Sequence, residues 1–242
     1  MVTQIEPMSA RSVLGYQAVV DHLRREFMLG RLRPGDRLPA ERQLAEHLGV
    51  ARETLRQAYR LLEGGGHIEI RRGARGGAIV LETFVDRAQM ITEVAERSEE
   101  IIQLVEFRSV VETAAAQLAA VRRTDEELHE MVEAQRELRE ATLLRDLRAA
   151  DTRFHLAIAT AARNPRLTSA IEDARVAMFQ PVDALDFQFV KDASLDGHDA
   201  LLDAIRDQDP EAAARAMRTH LGVTKDHFSE LLASWGVGDL PA

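Results

Sequence analysis

Hydrophobic residues recur at helical spacing through the first third of the chain. The pattern predicts one helix from Ser12 to Leu29, a short helix from Ala40 to Leu48 and a second short helix from Arg52 to Leu62. Two short helices around a Gly-Val turn indicate a helix-turn-helix, whose second helix enters the DNA major groove. That second helix carries an arginine at every fourth position, on a different face from its apolar residues: Arg52, Arg56 and Arg60.

A glycine-rich segment follows this pair of helices. Two predicted strands, His67 to Ile70 and Ala78 to Leu81, flank a turn from Arg71 to Gly77 that holds three arginines among its glycines. Glycine allows close approach of the backbone, and arginine meets phosphate or a narrow minor groove, so this hairpin suits a DNA-binding wing. For any single arginine, the alternative is an ordinary solvated charge.

From Leu81 onward, the apolar pattern is helical throughout, with no strand-like alternation. It predicts about seven helices, spanning approximately Thr83 to Arg97, Ser98 to Val121, Thr124 to Thr142, Leu143 to Arg163, Arg166 to Phe189, Val190 to Asp207 and Asp209 to Ala233. The expected fold is therefore mostly α. A winged helix-turn-helix with a small β-hairpin occupies residues 10–81, and an all-helical bundle occupies residues 82–235.

Composition supports this division and excludes several classes of protein. With 242 residues, 45% of them hydrophobic and 29% charged, the chain exceeds one small module and can bury a core. The absence of cysteine excludes disulfides, thiolate metal sites and cysteine nucleophiles, and it fits a reducing cytoplasm. Neither a signal peptide nor a membrane-spanning stretch is visible, so we expect a cytoplasmic protein without a membrane partner.

Charge is distributed unevenly along the chain. The formal net charge is -9, but residues 1–80 contain 13 arginines and 9 acidic residues, a balance of +4, which leaves -13 for residues 81–242. Because attraction to phosphate depends on local charge, a basic N-terminal third joined to an acidic remainder is typical of a DNA-binding module with an effector or assembly domain.

Four polar residues lie within apolar stripes of the predicted bundle. Asp151 and His155 are one turn apart on its fourth helix, while His198 and His220 lie among apolar residues of its sixth and seventh helices. Buried carboxylate and imidazole groups are costly unless they are paired or bind a cation. A pair at i and i+4 plus one donor from each of two other helices is a common metal site in bundles, so these four residues are candidate ligands.

A simpler interpretation stays open at this point. Each histidine could be a hydrogen-bonded core residue, and Asp151 could pair with His155 or with Arg153. The remaining histidines show no comparable convergence: His22, His47, His67, His129 and His227.

The N-terminal motifs resemble a known family. Segments 38–46 (LPAERQLAE) and 48–58 (LGVARETLRQA) are similar to the winged helix-turn-helix of the GntR family of bacterial transcription regulators. The resemblance covers about 70 residues and implies DNA contacts for Arg42, Arg52, Thr54, Arg56, Arg75 and Gly76. One departure is Ala51, where the family usually has Ser or Thr, and its missing hydroxyl implies a helix cap weaker by roughly 0.5 to 2 kcal/mol.

The C-terminal motifs extend the resemblance. DxxFH at 151–155 with Asn164, HxxLLxAI at 198–205 and AxxxMxxH at 213–220 look like the FadR C-terminal ligand-binding domain. In members with this Asp and three His, the four side chains hold a divalent metal. The resemblance also implies that Arg108, in the segment Glu106-Phe107-Arg108, binds an effector carboxylate. Alternatively, Arg108 only pairs with Glu112 one turn away.

Together these features predict a homodimeric, DNA-binding transcription regulator that is not an enzyme. Its helical domain would bind a divalent metal, zinc foremost with nickel, manganese or iron as alternatives, and a small carboxylate that alters binding to a double-stranded DNA operator. One alternative is a metalloenzyme, although no general base lies near the ligands in sequence. Another is a regulator whose metal is structural, or is itself the signal, with a different ligand in the bundle.

Overall fold

A computed structural model describes residues 15–73, 76–81, 87–178 and 187–235, with the backbone alone for residues 87–90. The chain divides into two compact units, Met1–Val85 and Asp86–Ala242. The predicted division at residue 81 lies beside this one, and residues 82–86 are outside the described ranges. Within the described ranges, no helix is both long and apolar enough to cross a membrane.

The first unit is a helix-turn-helix with a hairpin. Its elements are α1 (Tyr16–Met28), α2 (Glu41–Leu48), α3 (Arg52–Gly64), β1 (Ile68–Arg71) and β2 (Gly77–Val80). The strands are antiparallel, with Ile68 opposite Val80 and Arg71 opposite Gly77. The helices pack around a buried apolar core that includes Val19, Leu23, Leu44, Leu55, Leu62 and Ile68.

Glycines and caps fix the turns of this unit. Gly49 ends α2 with a φ of 67°, a left-handed conformation that glycine adopts without strain. In the hairpin, a Cβ on Gly76 would lie 2.2 Å from the carbonyl oxygen of Arg71, so no larger residue fits there. Ala51 precedes α3 and makes no side-chain capping bond, as its missing hydroxyl predicted.

The second unit consists of helices in its described part: α4 (Arg87–Glu96), α5 (Ser98–Arg122), α6 (Asp125–Glu140), α7 (Leu144–Ala161), α8 (Pro165–Ala177), α9 (Phe187–Arg206) and α10 (Pro210–Ser234). Helix α5 packs along α10, α6 packs along α7, and α9 contacts both α6 and α10. Buried alanines on α5 let neighbouring helices approach closely around Phe154 and Met217. The predicted fold class is confirmed: mostly α, with a two-stranded hairpin after the N-terminal helices.

One predicted helix is wrong. The pattern predicted a helix from Arg166 to Phe189, but α8 ends at Ala177, and α9 begins at Phe187, before its predicted start at Val190. Residues 179–186 of the prediction lie outside the described ranges. The apolar spacing continues through this region, whereas Pro181 in the sequence disfavours a continuous helix. The proline is therefore a sequence signal against a continuous helix that the apolar spacing alone does not show.

Candidate metal centre and DNA-binding residues

Three helices of the second unit bring the four candidate ligands together. Asp151 and His155 lie one turn apart on α7, His198 lies on α9 and His220 on α10, and one ligand atom from each falls within 4.8 Å of the others. We call these four residues the His–Asp cluster. The Nε2 atom of His155 is 3.3 Å from Nε2 of His198 and 3.3 Å from Nε2 of His220. The Oδ1 atom of Asp151 is 3.4 Å from Nε2 of His198.

Polar neighbours orient two of the imidazoles. Nδ1 of His198 lies 3.0 Å from Oε1 of Gln135, whose amide nitrogen donates to the carbonyl of Leu195 and to Asp199. The Gln135 oxygen must therefore accept from His198, so the proton is on Nδ1 and the Nε2 lone pair faces the cluster. Nδ1 of His155 lies 2.5 Å from the Oε2 atom of Glu112, which favours the same tautomer.

Burial keeps the imidazoles of His198 and His220 neutral. The pKa of His198 lies well below its usual range, mainly because the ring is fully desolvated, and secondly because the neighbouring His220 would repel its charge. Desolvation, followed by the nearby His155, lowers the pKa of His220 to about 3. Neutral imidazole is the form that binds a metal ion.

Asp151 pairs with an arginine that the sequence analysis did not identify. Its Oδ2 accepts a hydrogen bond from Nη2 of Arg175 on α8, and its Oδ1 accepts one from Ser194 at 3.3 Å. Burial alone would raise the pKa of Asp151, but the Arg175 guanidinium holds it well below its usual range. The suggested partner Arg153 instead contacts Glu130 and Glu137, each at 2.7 Å.

A second buried ion pair borders the cluster. Nε of Arg108, the candidate effector-binding residue, donates to Oε1 of Glu112 at 2.6 Å, and both side chains are at most 5% exposed. Although desolvation opposes it, Arg108 and His155 hold the pKa of Glu112 well below its usual range. Nη1 of Arg175 is also buried and has no hydrogen-bond partner among the described residues. Two buried guanidinium groups therefore adjoin the His–Asp cluster.

The cluster fits a metal ion chemically. Two Nε2 lone pairs that face each other at 3.3 Å repel unless a cation lies between them. Three neutral imidazoles and a carboxylate are borderline ligands that suit zinc, nickel or iron(II). A histidine ligand usually donates its second ring N–H to a carboxylate or carbonyl oxygen, as His155 and His198 are placed to do.

The predicted DNA-binding residues lie on the first unit. Arg52, Thr54 and Arg56 are on α3 and Arg42 is on α2, and all three arginines are exposed. Gly76 lies immediately before β2. Arg75 is outside the described residues.

A carboxylate from α2 reaches the arginines of α3. Oε2 of Glu41 accepts a hydrogen bond from Nε of Arg56 at 2.9 Å and is 3.8 Å from Nη2 of Arg52. This contact links the two helices of the helix-turn-helix. In the sequence, Glu41 stands only within the family motif at 38–46, and nothing there indicates this contact.

Comparison with known proteins identifies both units. The family model for bacterial regulatory proteins of the gntR family matches residues 15–77, and the FCD domain model matches residues 103–223. The Uxu operon transcriptional regulator of Escherichia coli K12 is 31% identical over 230 residues, which cover 89% of this chain and 87% of that protein. The galactonate operon transcriptional repressor of the same strain is 30% identical over 224 residues, which cover 88% of this chain and 96% of that protein.

A solved structure agrees at the level of the fold. The structure of Escherichia coli McbR/YncC aligns with a TM-score of 0.53 and 22% identity, over 93% of this chain and 100% of that one. The matched families and relatives are transcriptional regulators and not enzymes, which excludes the metalloenzyme alternative. The chain therefore belongs to the GntR family of DNA-binding transcription regulators, with the FCD effector-binding domain as its C-terminal unit.

Proposed function

We propose that this regulator binds a divalent metal at the His–Asp cluster and a small carboxylate beside it, and that the carboxylate changes its affinity for operator DNA. The observation that carries the proposal is the convergence of three Nε2 atoms and one carboxylate oxygen within 4.8 Å in a buried site. Zinc is the metal that this ligand set favours first, with nickel, manganese or iron as alternatives.

Charge supports an anionic effector. Asp151 is balanced by Arg175 and Glu112 by Arg108, so the cluster and its partners carry no net charge when the histidines are neutral. A bound divalent metal then leaves a double positive charge in a desolvated site, which an anion would offset. The buried Nη1 of Arg175 supplies an unused donor for a carboxylate oxygen. Arg108 stays a candidate effector residue, although Glu112 already occupies its Nε.

The relatives suggest which acids to test first. One is named for the galactonate operon and others for the Exu, Uxu and Glc operons. Galactonate is a sugar acid, so a panel should begin with hydroxy acids and sugar acids. For DNA binding, we propose Arg42, Arg52, Thr54, Arg56, Arg75 and Gly76 as contacts, in a cytoplasmic homodimer whose two-fold symmetry matches a palindromic operator.

The test is thermal unfolding of zinc-loaded and chelated protein against this panel. A ligand at 100 times its Kd stabilises the folded state by roughly 2.7 kcal/mol, a clear shift in midpoint. We expect zinc alone to raise the midpoint and one acid to raise it further only with zinc present. Asp151→Asn should lose both shifts, while Asp203→Asn, which removes an exposed carboxylate of α9 that pairs with Arg206, should keep them.

Two outcomes would contradict the proposal. If zinc, nickel and manganese leave the midpoint unchanged, the cluster is not a metal site. If a metal stabilises the protein but no acid adds to the shift, the metal is structural or is itself the signal. Operator affinity measured with and without metal separates those two roles.

A further inference from the structure

The three imidazoles of the His–Asp cluster are held in different ways. Nδ1 of His155 is in ion-pair contact with Oε2 of Glu112 at 2.5 Å, and Nδ1 of His198 is 3.0 Å from Oε1 of Gln135. Nδ1 of His220 is buried and has no hydrogen-bond partner among the described residues. A hydrogen bond at the second ring nitrogen usually fixes a metal-binding histidine. Among the described residues, no polar contact at Nδ1 positions the ring of His220, so its orientation depends on packing.

Gly197 on α9 provides the space that this ring occupies. A Cβ on Gly197 would lie 2.3 Å from Nδ1, 2.8 Å from Cγ and 2.9 Å from Cβ of His220. Non-bonded carbon atoms are most stable at about 3.5 to 4.0 Å, so no side chain can share this space with the ring. The imidazole of His220 lies where a side chain on α9 would otherwise project.

The backbone gives no other reason for glycine at this position. Gly197 is not among the residues with positive φ, and it lies in the interior of α9, where glycine is less stable than alanine by roughly 0.8 to 1.0 kcal/mol. The gap beside His220 is the remaining explanation for a glycine there.

We propose that Gly197 is a positioning residue for metal binding: it admits the His220 ring to the place where its Nε2 comes within 3.3 Å of that of His155. Two adjacent residues of α9 then have complementary roles. His198 is itself a ligand, and Gly197 leaves space for a second ligand, His220. Because no hydrogen bond among the described residues holds Nδ1 of His220, even a methyl group on α9 would displace the ring. This inference rests on the proposed metal centre.

The chain offers a matched control for the test. Gly222 on α10 is also a helical glycine, and a Cβ there would meet nothing within 4 Å. Calorimetric titration with Zn²⁺ should show Gly197→Ala binding at least about tenfold more weakly than wild type, with Gly222→Ala unchanged. In metal-free protein, Gly222→Ala should raise the thermal midpoint, because alanine favours a helix, whereas Gly197→Ala should lower it.

A double variant separates displacement of His220 from general damage to α9. When His220 is replaced by Ala, the space beside Gly197 opens. Gly197→Ala should then have no further effect on zinc affinity and should raise the midpoint of His220→Ala, as the Gly222 substitution does in wild type.

The outcomes distinguish this inference from the proposed function. If wild type binds zinc and Gly197→Ala binds it equally well, the inference is overturned and the metal centre stands. If Gly197→Ala lowers the midpoint equally with and without His220, the role of Gly197 is structural and the inference is overturned. If wild type binds none of zinc, nickel and manganese, the proposed metal centre fails, and the inference fails with it.

Discussion

At the scale of single residues, the direction of the ring nitrogens distinguishes the His–Asp cluster from ordinary buried histidines. A core histidine satisfies both of its nitrogens with protein partners. Here Glu112 and Gln135 occupy the outward Nδ1 atoms of His155 and His198, which leaves unprotonated Nε2 atoms to face each other. The side chains around the cluster therefore leave these Nε2 atoms able to donate electron pairs to a metal ion.

Glu112 is the residue on which this arrangement most depends. It contacts His155 through one oxygen and Arg108 through the other, and its side chain is 1% exposed. We expect Glu112→Gln to weaken zinc binding about 10- to 100-fold, because His155 loses the carboxylate that orients it. The variant should also lose roughly 3 to 5 kcal/mol of stability, because Arg108 stays buried without its counter-ion. Calorimetry and urea unfolding measure the two effects.

Glu133 provides the control for this prediction. It is a carboxylate on α6 that pairs with Arg136 at 2.8 Å on the protein surface. Glu133→Gln makes the same chemical change in solvent, so zinc affinity and stability should be nearly unaffected. Equal effects from the two substitutions would show that Glu112 has no special role at the cluster.

The sequence was sufficient to propose the ligands but not the residues that hold them. Asp151, His155, His198 and His220 each interrupt an apolar stripe, and that signal is local. Gln135 interrupts a stripe of α6 in the same way and could have been found by the same rule. Arg175 gave no such signal, because its role depends on α8 lying beside α7, a contact between helices that spacing along one helix cannot reveal.

At the scale of elements, sequence signals of different strength explain which helix bounds were predictable. Helix α6 begins at a complete capping box formed by Thr124 and Glu127, and its predicted start is within one residue of the observed one. Pro165 and Pro210 begin α8 and α10 behind the caps Asn164 and Asp209. Where no cap was recognised, at the end of α8, the prediction carried the helix past its observed end at Ala177.

The contact between α2 and α3 is the element-scale feature most relevant to DNA recognition. Glu41 accepts a hydrogen bond from Nε of Arg56, and Oε2 of Glu53 is 4.0 Å from Nη1 of Arg56, too far for a hydrogen bond. The terminal amino groups of Arg56 can therefore turn to a base edge. Glu41 also places a negative charge beside two arginines that are proposed to contact DNA. We expect Glu41→Gln to raise affinity for non-operator DNA and to lower the ratio of operator to non-operator affinity by about tenfold, the scale of one base contact. Fluorescence anisotropy with both DNA types at several salt concentrations measures this.

Asp21 is the control carboxylate in the same unit. It is exposed on α1 and accepts a hydrogen bond from Gln17 at 3.2 Å. Asp21→Asn changes the net charge by the same amount without releasing an arginine proposed to contact DNA, so it should raise both affinities alike and leave their ratio unchanged. A ratio that falls equally in both variants would mean that charge alone, and not the orientation of Arg56, accounts for the effect.

At the scale of the whole molecule, charge and chemistry are divided between the two units. The basic residues concentrate in the DNA-binding unit, and the His–Asp cluster lies entirely in the acidic FCD unit. Overall net charge is therefore a poor guide to the function of this chain, because a balance of -9 conceals a basic module. The division also means that each unit's binding can be measured alone before their coupling is tested.

Coupling between the units yields the last prediction. If an acid effector changes operator affinity by some factor, thermodynamic linkage requires the operator to change effector affinity by the same factor, typically 5- to 150-fold. Four affinities test this: those for the effector with and without operator, and those for the operator with and without effector. We expect both pairs, measured by calorimetry or anisotropy on zinc-loaded protein, to give the same factor. Asp151→Asn should reduce the factor to one while operator affinity without effector is kept, because the residues proposed to contact DNA are in the other unit. An effector that binds tightly with a factor of one in wild type would contradict regulation through this site.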